Sequence, residues 1–248
     1  MMALANIWIV LPTVLLAGGL IGASGIGGVL LVPVLTKLGG VSLPQAIAAA
    51  SLGFALPALV VLGPLRRQRA MAARCIPLLL GALAGSAAGA LVVGWLSVTA
   101  LMLGVTLLVF FAGWRGLYPP AVAAAPVEPL SMTALLALGV LVGVGSALTG
   151  TGGPVLVIPL LMLLRQPVSF AVVAGQASQF PVALASSTVH ALEGRLDLWL
   201  ALICGLLMLV GSIAGQRVAA GLDTRQLQRM VSVVLLAVGA WFAWLLLA

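Results

Sequence analysis

Apolar residues dominate the chain, and the few polar positions cut it into segments. Long apolar stretches run near 4–22, 27–38, 44–64, 75–94 and 97–114. After a break rich in proline they resume near 131–148, 153–164, 168–190, 197–216 and 226–247. Most of these stretches are apolar on every side, as expected of helices in lipid rather than at a water-exposed surface. The break, Arg115 to Pro129, carries Pro119, Pro120, Pro126 and Pro129. It divides the chain into a first unit at 1–114, a linker at 115–130 and a second unit at 131–248.

The two units read as repeats. A shift of 126 residues places Gly19 on Gly145, Gly27 on Gly153, Leu30 on Leu156 and Pro33 on Pro159. The same shift places Gly85 on Gly211, Gly89 on Gly215 and Gly113 on Gly239. Internal duplication of this kind marks many secondary transporters.

Residues 4–38 would make roughly 50 Å of helix, too long for one crossing of a ~30 Å hydrocarbon core. Gly25-Ile26-Gly27-Gly28 and Pro33 interrupt them, and Gly150-Thr151-Gly152-Gly153-Pro154 and Pro159 interrupt 131–165 in the same way. Each run therefore predicts a helical hairpin bent at a glycine turn, which gives five segments per half. One kinked helix in each place would give four.

Basic residues separate these options. With five segments, Arg66, Arg67, Arg69, Arg74, Arg115, Arg165, Arg217, Arg225 and Arg229 share one side, and only Lys37 and Arg195 face the other. With four segments, the split falls to six against five. The positive-inside rule favours the first. The expected fold is an all-α polytopic membrane protein of two inverted repeats, each one hairpin plus three spans. It would be an inner-type membrane protein with both termini facing outward.

Composition agrees. Of 248 residues, 63% are hydrophobic and 6% charged, against roughly 25% charged in a soluble domain. Soluble enzymes, nucleic-acid-binding domains and disordered chains are excluded, and the net charge of +7 reports orientation rather than a nucleic-acid partner. The first 24 residues lack a basic start and read as a retained helix. Cys75 and Cys204 lie in apolar runs and predict buried free thiols. Trp8, Trp95, Trp114, Tyr118 and Trp199 suit an interfacial belt. Gly81, Gly85 and Gly89, echoed by Gly211 and Gly215, predict close helix packing.

The chemistry is sought at the glycine turns. A helix broken inside the membrane exposes backbone N–H groups and a positive dipole end, which attract anions. All fifteen charged residues lie at segment ends or in loops, whereas a cation site would want a buried carboxylate. The candidate substrate-binding residues are Ser24, Gly25, Gly27 and Gly28 in the first turn. In the second they are Thr149, Gly150, Thr151, Gly152 and Gly153. From the third segments come Ser51, Gln176 and Gln179, for polar residues deep in apolar helices need partners. Interhelical hydrogen bonding is the plainer reading of the same residues. His190, the one histidine, is a candidate proton relay that would lie near the interface. No metal site and no cofactor are expected. The expected partners are a small anion and the lipid bilayer, and the sequence leaves a homodimer open.

At these turns the chain resembles the TauE/SafE family of sulfite exporter and sulfonate permease-like transporters. The likeness rests on Gly25-Ile26-Gly27-Gly28 with Pro33 and on Gly150-Thr151-Gly152-Gly153-Pro154 with Pro159. Leu65-Arg66-Arg67-Gln68-Arg69 and Gly194-Arg195-Leu196-Asp197 add to it, over roughly residues 15–247. The resemblance implies a bacterial inner-membrane transporter of small anions such as sulfite or organosulfonates, which makes the outward-facing termini periplasmic. The chain departs from the family pattern at Val29, at Ala50-Ser51 and at Ala174-Gly175-Gln176. The expected function is alternating access around one site formed by both turns, with Pro57 and Pro181 easing the motion. The alternatives are a membrane scaffold, or an intramembrane enzyme, which would need a nucleophile–base pair or metal ligands that this sequence does not offer.

Overall fold

A computed structural model describes residues 7–60, 69–92, 98–118 and 128–247. The basic residues 65–68, Trp95, most of the linker, and both chain ends lie outside the described residues.

The described residues form helices and turns, with no strand among them. Helix α1 spans Ile7–Ser24. The segment after the first glycine turn, α2, is irregular: a 3-10 turn at Gly28–Leu30, an α turn at Leu31–Pro33 and a π turn at Val34–Leu38. Helix α3 spans Leu43–Gly53 and is broken at Phe54 before a helical path resumes. Helices α4 (Arg69–Val92) and α5 (Val98–Leu117) complete the first half. The second half holds α6 (Met132–Thr149), α7 (Pro154–Leu163), α8 (Val168–Leu192), α9 (Leu198–Ala220) and α10 (Thr224–Leu247).

Five of these helices are long and apolar enough to cross a membrane: α4, α6, α8, α9 and α10. The chain is an all-α polytopic membrane protein. Many large apolar side chains point outward, among them Leu80, Leu107, Leu141 and Val210. That is an error in water and the natural state in lipid. Trp8, Trp114, Tyr118 and Trp199, all near helix ends, are exposed as well.

Small residues set the packing. Helix α4 lies against α6, where a Cβ at Gly85 would meet the backbone of Val140, and one at Gly139 or Gly143 would meet that of Leu78 or Ala82. Helix α9 lies against α1 in the same manner, with Gly211 and Gly215 on the backbones of Leu15 and Gly19. In lipid no hydrophobic force draws helices together, so close backbone approach and dispersion must do so. The 126-residue shift equates α1 with α6 and α4 with α9, so the two contacts correspond under it. Helices α5 and α10, which the shift also equates, pack on each other through Gly113, Gly116 and Gly239.

Helix α7 lies deep in the molecule. Its residues are apolar all round, and seven of the ten are buried. Ten residues give about 15 Å, half of a hydrocarbon core. Its far end is anchored where Gln166 donates from Nε2 to the Glu128 carbonyl (3.3 Å) and accepts at Oε1 from Arg74 (3.3 Å). Those bonds gather the starts of α4, α6 and α8 at one end of the bundle. Gln228 at the start of α10 donates to the carbonyl of Gly116 at the end of α5 (3.0 Å).

The core has two parts, and each turn's surroundings mix the halves. Ile26 and Val29 of the first turn belong to the apolar cluster built on α7 and α8. Ala183 of α8 belongs to the cluster built on α1, α2, α3 and α9. Cys75 and Cys204 are free and buried.

Candidate anion site at the paired glycine turns

Helix α1 ends because Gly25 adopts φ +82°, a conformation that side chains with a Cβ resist. The Ser24 hydroxyl donates to the Leu20 carbonyl (2.8 Å) and accepts from the Ile26 N–H (3.2 Å). Helix α6 ends at Gly150 (φ +62°), and Gly152 is left-handed too (φ +77°). Pro154 then starts α7 at its first position, where a missing N–H costs nothing. Thr149 Oγ1 donates to the Gly145 carbonyl (2.7 Å) and lies 2.8 Å from Thr151 Oγ1.

The two turns meet. A Cβ built on Gly25 would lie 2.7 Å from Ile158 Cδ1, 3.4 Å from Gln176 Cγ and 3.5 Å from Pro154 Cβ. Phe54, 3% exposed, stands between the turns. A Cβ on Gly28 would lie 2.7 Å from its Cε1, and one on Gly152 would lie 3.4 Å from its Cε2. One edge of the ring thus faces the first turn and the opposite edge faces the second. Phe54 was missed in reading the sequence, as an apolar residue among apolar residues. The 126-residue shift pairs it with Phe180, and that pairing was the available signal.

Both turns are buried, and both leave backbone donors open. Among the described residues, the N–H groups of Gly27, Gly28 and Val29 find no acceptor, nor do those of Thr151, Gly152, Gly153 and Val155. No side chain caps α2 or α7. Buried N–H groups in native proteins are nearly always paired, with protein, water or ligand. Their clustering at two helix starts creates a neutral cradle with positive potential, suited to an oxyanion.

The other candidates divide. Gln176 donates from Nε2 to the carbonyls of Ile21 (2.8 Å) and Gly22 (3.1 Å). It pins α8 to the end of α1, so its amide is committed to a structural bond beside the first turn. Gln179 is 2% exposed and its Oε1 has no partner. Ser178 Oγ donates to the Gly175 carbonyl (2.6 Å) and fills the space above Gly153. Ser51 is buried in α3, with no hydrogen bond among the described residues. Gly27 and Gly153 are used for packing, against the α1 backbone at Ala17 and against Ser178.

His190 lies in the last turn of α8, but inside the bundle rather than in solvent, at 3% exposed. Neither ring nitrogen has a hydrogen-bond partner. Nδ1 is 4.0 Å from Glu193 Oε2, which in turn pairs with Arg195 at 2.6 Å. At 3.6 residues per turn, Gln176, Gln179, Ser186, Ser187 and His190 fall within a sector about 100° wide. Ser186 Oγ is also buried and unpartnered. Gln179 and His190 are separated by about 16 Å along the helix. Among the described residues, no three His, Cys, Asp or Glu side chains come together as metal ligands would.

Among curated proteins and among solved structures, no match to this chain is found. The family model described as sulfite exporter TauE/SafE matches residues 10–242, nearly the whole chain. Broken helices with open N–H groups and glycines that correspond under the 126-residue shift fit that match. The chain belongs to the sulfite exporter TauE/SafE family, and is a multi-pass membrane transporter of sulfur-related anions.

Proposed function

We propose that the two glycine turns form a single oxyanion site, and that the chain moves sulfite-like or organosulfonate anions through it by alternating access. The carrying observation is the meeting of both turns on opposite edges of Phe54, each with buried N–H groups that lack acceptors. An anion with several oxygens can take donors from both turns at once, and charged acceptors strengthen such bonds. Without a buried cation, binding stays weak enough for release.

In this reading the units 1–114 and 131–248 are inverted repeats joined by the linker at 115–130. Support comes from the matching α1–α9 and α4–α6 contacts. It also comes from the bonds that gather Arg74, Glu128 and Gln166 at one end of the bundle. The arginine-rich end is cytoplasmic, and both termini are periplasmic. The site connects to the opposite face along the polar stripe of α8, where Gln179, Ser186 and His190 hold unpartnered atoms that water can satisfy. His190, at the far end of that stripe, relays a proton if transport is proton-coupled.

The test is flux of labelled sulfite into liposomes carrying the purified protein. Phe54→Ala removes the ring between the turns without touching a hydrogen bond. It should change the rate by at least about tenfold, a difference of about 1.4 kcal/mol in the barrier, while the protein keeps its helical circular dichroism. Unchanged flux would reject the shared site.

A further inference from the structure

A second concave site lies away from the glycine turns, at the end of the bundle where α4 and α8 begin. A cavity of about 430 Å³ opens there, lined by Arg69, Met71, Arg74, Pro167, Ser169 and Phe170. Two arginines and the start of a 25-residue helix line one small volume. Arg74 is held in place: its guanidinium carbon lies 4.6 Å over the Phe170 ring. One of its nitrogens donates to Gln166 Oε1 at 3.3 Å. Neither Arg69 nor Arg74 pairs with a carboxylate among the described residues. Helix α8 begins here without a side-chain cap.

The cavity is therefore basic, and no carboxylate is among its described lining residues. Tetrahedral oxyanions suit it, since guanidinium forks match phosphate geometry. Such a group has two sources, a soluble anion or a phospholipid headgroup. The helix geometry decides between them. On α4, Arg69 shares its face with Ile76, Leu80 and Leu83, at seven, eleven and fourteen residues further on. These side chains are 52%, 56% and 40% exposed. Arg69 thus caps a stripe that faces hydrocarbon, and a phosphate in the cavity would have its acyl chains beside that stripe.

We propose that this cavity is a binding site for the phosphate of an anionic phospholipid, held by Arg69 and Arg74 at the start of α4. Basic pockets between membrane helices recognise such headgroups, at roughly 1 kcal/mol, about fivefold in affinity, for each basic residue near the surface. A bound lipid would tie α4 to α8. The site stands on its own residues, and its fate is separate from that of the glycine turns.

Native mass spectrometry of the purified full chain tests this. The protein is offered equal amounts of phosphatidylglycerol and phosphatidylcholine with identical chains. Wild type should retain phosphatidylglycerol preferentially. Arg69→Gln and Arg74→Gln should each cut that preference about fivefold, and Arg217→Gln should leave it unchanged. The Arg69 side chain makes no hydrogen bond or ion pair among the described residues, so its variant keeps the test valid even if Arg74→Gln fails to fold. Equal retention of both lipids by wild type overturns the proposal, as does an equal loss in Arg69→Gln and Arg217→Gln. Inorganic phosphate added at low millimolar concentration should not displace the lipid. Displacement would reassign the cavity to a soluble anion.

Discussion

The two glycine turns correspond under the 126-residue shift, yet they are built differently. After Gly25 the first turn leads into 3-10, α and π turns in succession, with no regular helix before Gly39. After Gly150 and Gly152 the second leads into ten residues of regular helix. The shift of 126 explains much of the contrast, because it places Gly28 opposite Pro154 and Ile26 opposite Gly152. Proline fixes φ near the helical value and begins a helix cleanly. Glycine at the same place leaves the backbone free, and the Phe54 ring takes the volume that a side chain would fill. On the proposed repeat, the two halves break at corresponding places and restart in different ways. In the proposed site the first turn is the adaptable face and the second the rigid one.

The largest effects should come from filling the glycines used for packing. In Gly27→Leu the new side chain meets the backbone of α1 at Ala17, which cannot rotate away. In Gly153→Leu it meets the Ser178 hydroxyl, which can turn. Overpacking costs typically 1–3 kcal/mol and sometimes more. Gly27→Leu should abolish the folded protein, and Gly153→Leu should leave a destabilised remainder in size-exclusion chromatography. Equal yields would show that the first turn is no tighter than the second.

A step smaller are the left-handed positions. Gly152→Ala should cost about 1–2 kcal/mol, the price of αL for a residue with a Cβ, and lower the melting temperature of the purified protein. Ile26, its counterpart in the first turn, is a β-branched residue and has no positive φ. Ile26→Ala should therefore act through lost burial alone, since its side chain is wholly buried in the cluster built on α7. If Gly152→Ala is neutral, the second turn is not the rigid partner.

Reading these differences from sequence alone was feasible for some residues and not for others. The breaks at Gly25 and Gly150, the all-helical build and the matching glycine faces all follow from local chemistry: φ preferences, hydropathy and side-chain size. The role of Gln176 does not. A buried glutamine near a broken helix looks the same whether its amide awaits a ligand or holds a backbone carbonyl, because only the tertiary approach of α1 to α8 separates the cases. Phe54 was hidden for a similar reason, as nothing in its neighbours distinguishes a ring between two turns from one in a lipid-facing row. His190, three residues before Glu193, reads as lying near the interface, and its position in the last turn of α8 leaves the direction of its side chain open. The helix instead turns it inward while the two charges remain partly exposed.

Gln176 and Gln179 sharpen the contrast between the turns, because they are one helical turn apart and differ in their bonds. Gln176→Ala leaves the Gly22 carbonyl without its donor, at a cost of about 1–3 kcal/mol. It should lower the melting temperature, and its effect on transport should follow from that loss. Gln179→Ala removes an acceptor that has no partner. It should leave stability nearly unchanged and alter the ranking of competing anions in a binding assay. If both variants lose stability equally, or if neither alters the ranking, Gln179 does not face the anion.

The smallest expected effect belongs to the hydroxyl pair found only in the second turn. Thr149 Oγ1 already donates to the Gly145 carbonyl, so its proton is spent, and the 2.8 Å contact requires Thr151 to donate to it. That arrangement uses the Thr151 proton too, and presents lone pairs rather than donors to an approaching anion. An anion strong enough to draw the Thr151 hydroxyl toward itself must break this bond first. The bond's net worth is about 0.5–1.5 kcal/mol. Thr149→Val frees the Thr151 hydroxyl from its acceptor while keeping the shape of the side chain. Anion affinity should therefore rise modestly, by roughly two- to tenfold for this range of energies, while stability falls by a similar amount. Thr151→Val should lower affinity, and in the double variant the gain from Thr149→Val should vanish, because no hydroxyl is left to release. The first turn has no such pair, as Ser24 binds back to the Leu20 carbonyl and to the Ile26 N–H within its own turn. Ser24→Ala should accordingly affect stability rather than affinity. Additive effects of the two threonine variants on sulfite affinity would show that their hydroxyls act independently, and the second turn would then contribute only its backbone to the site.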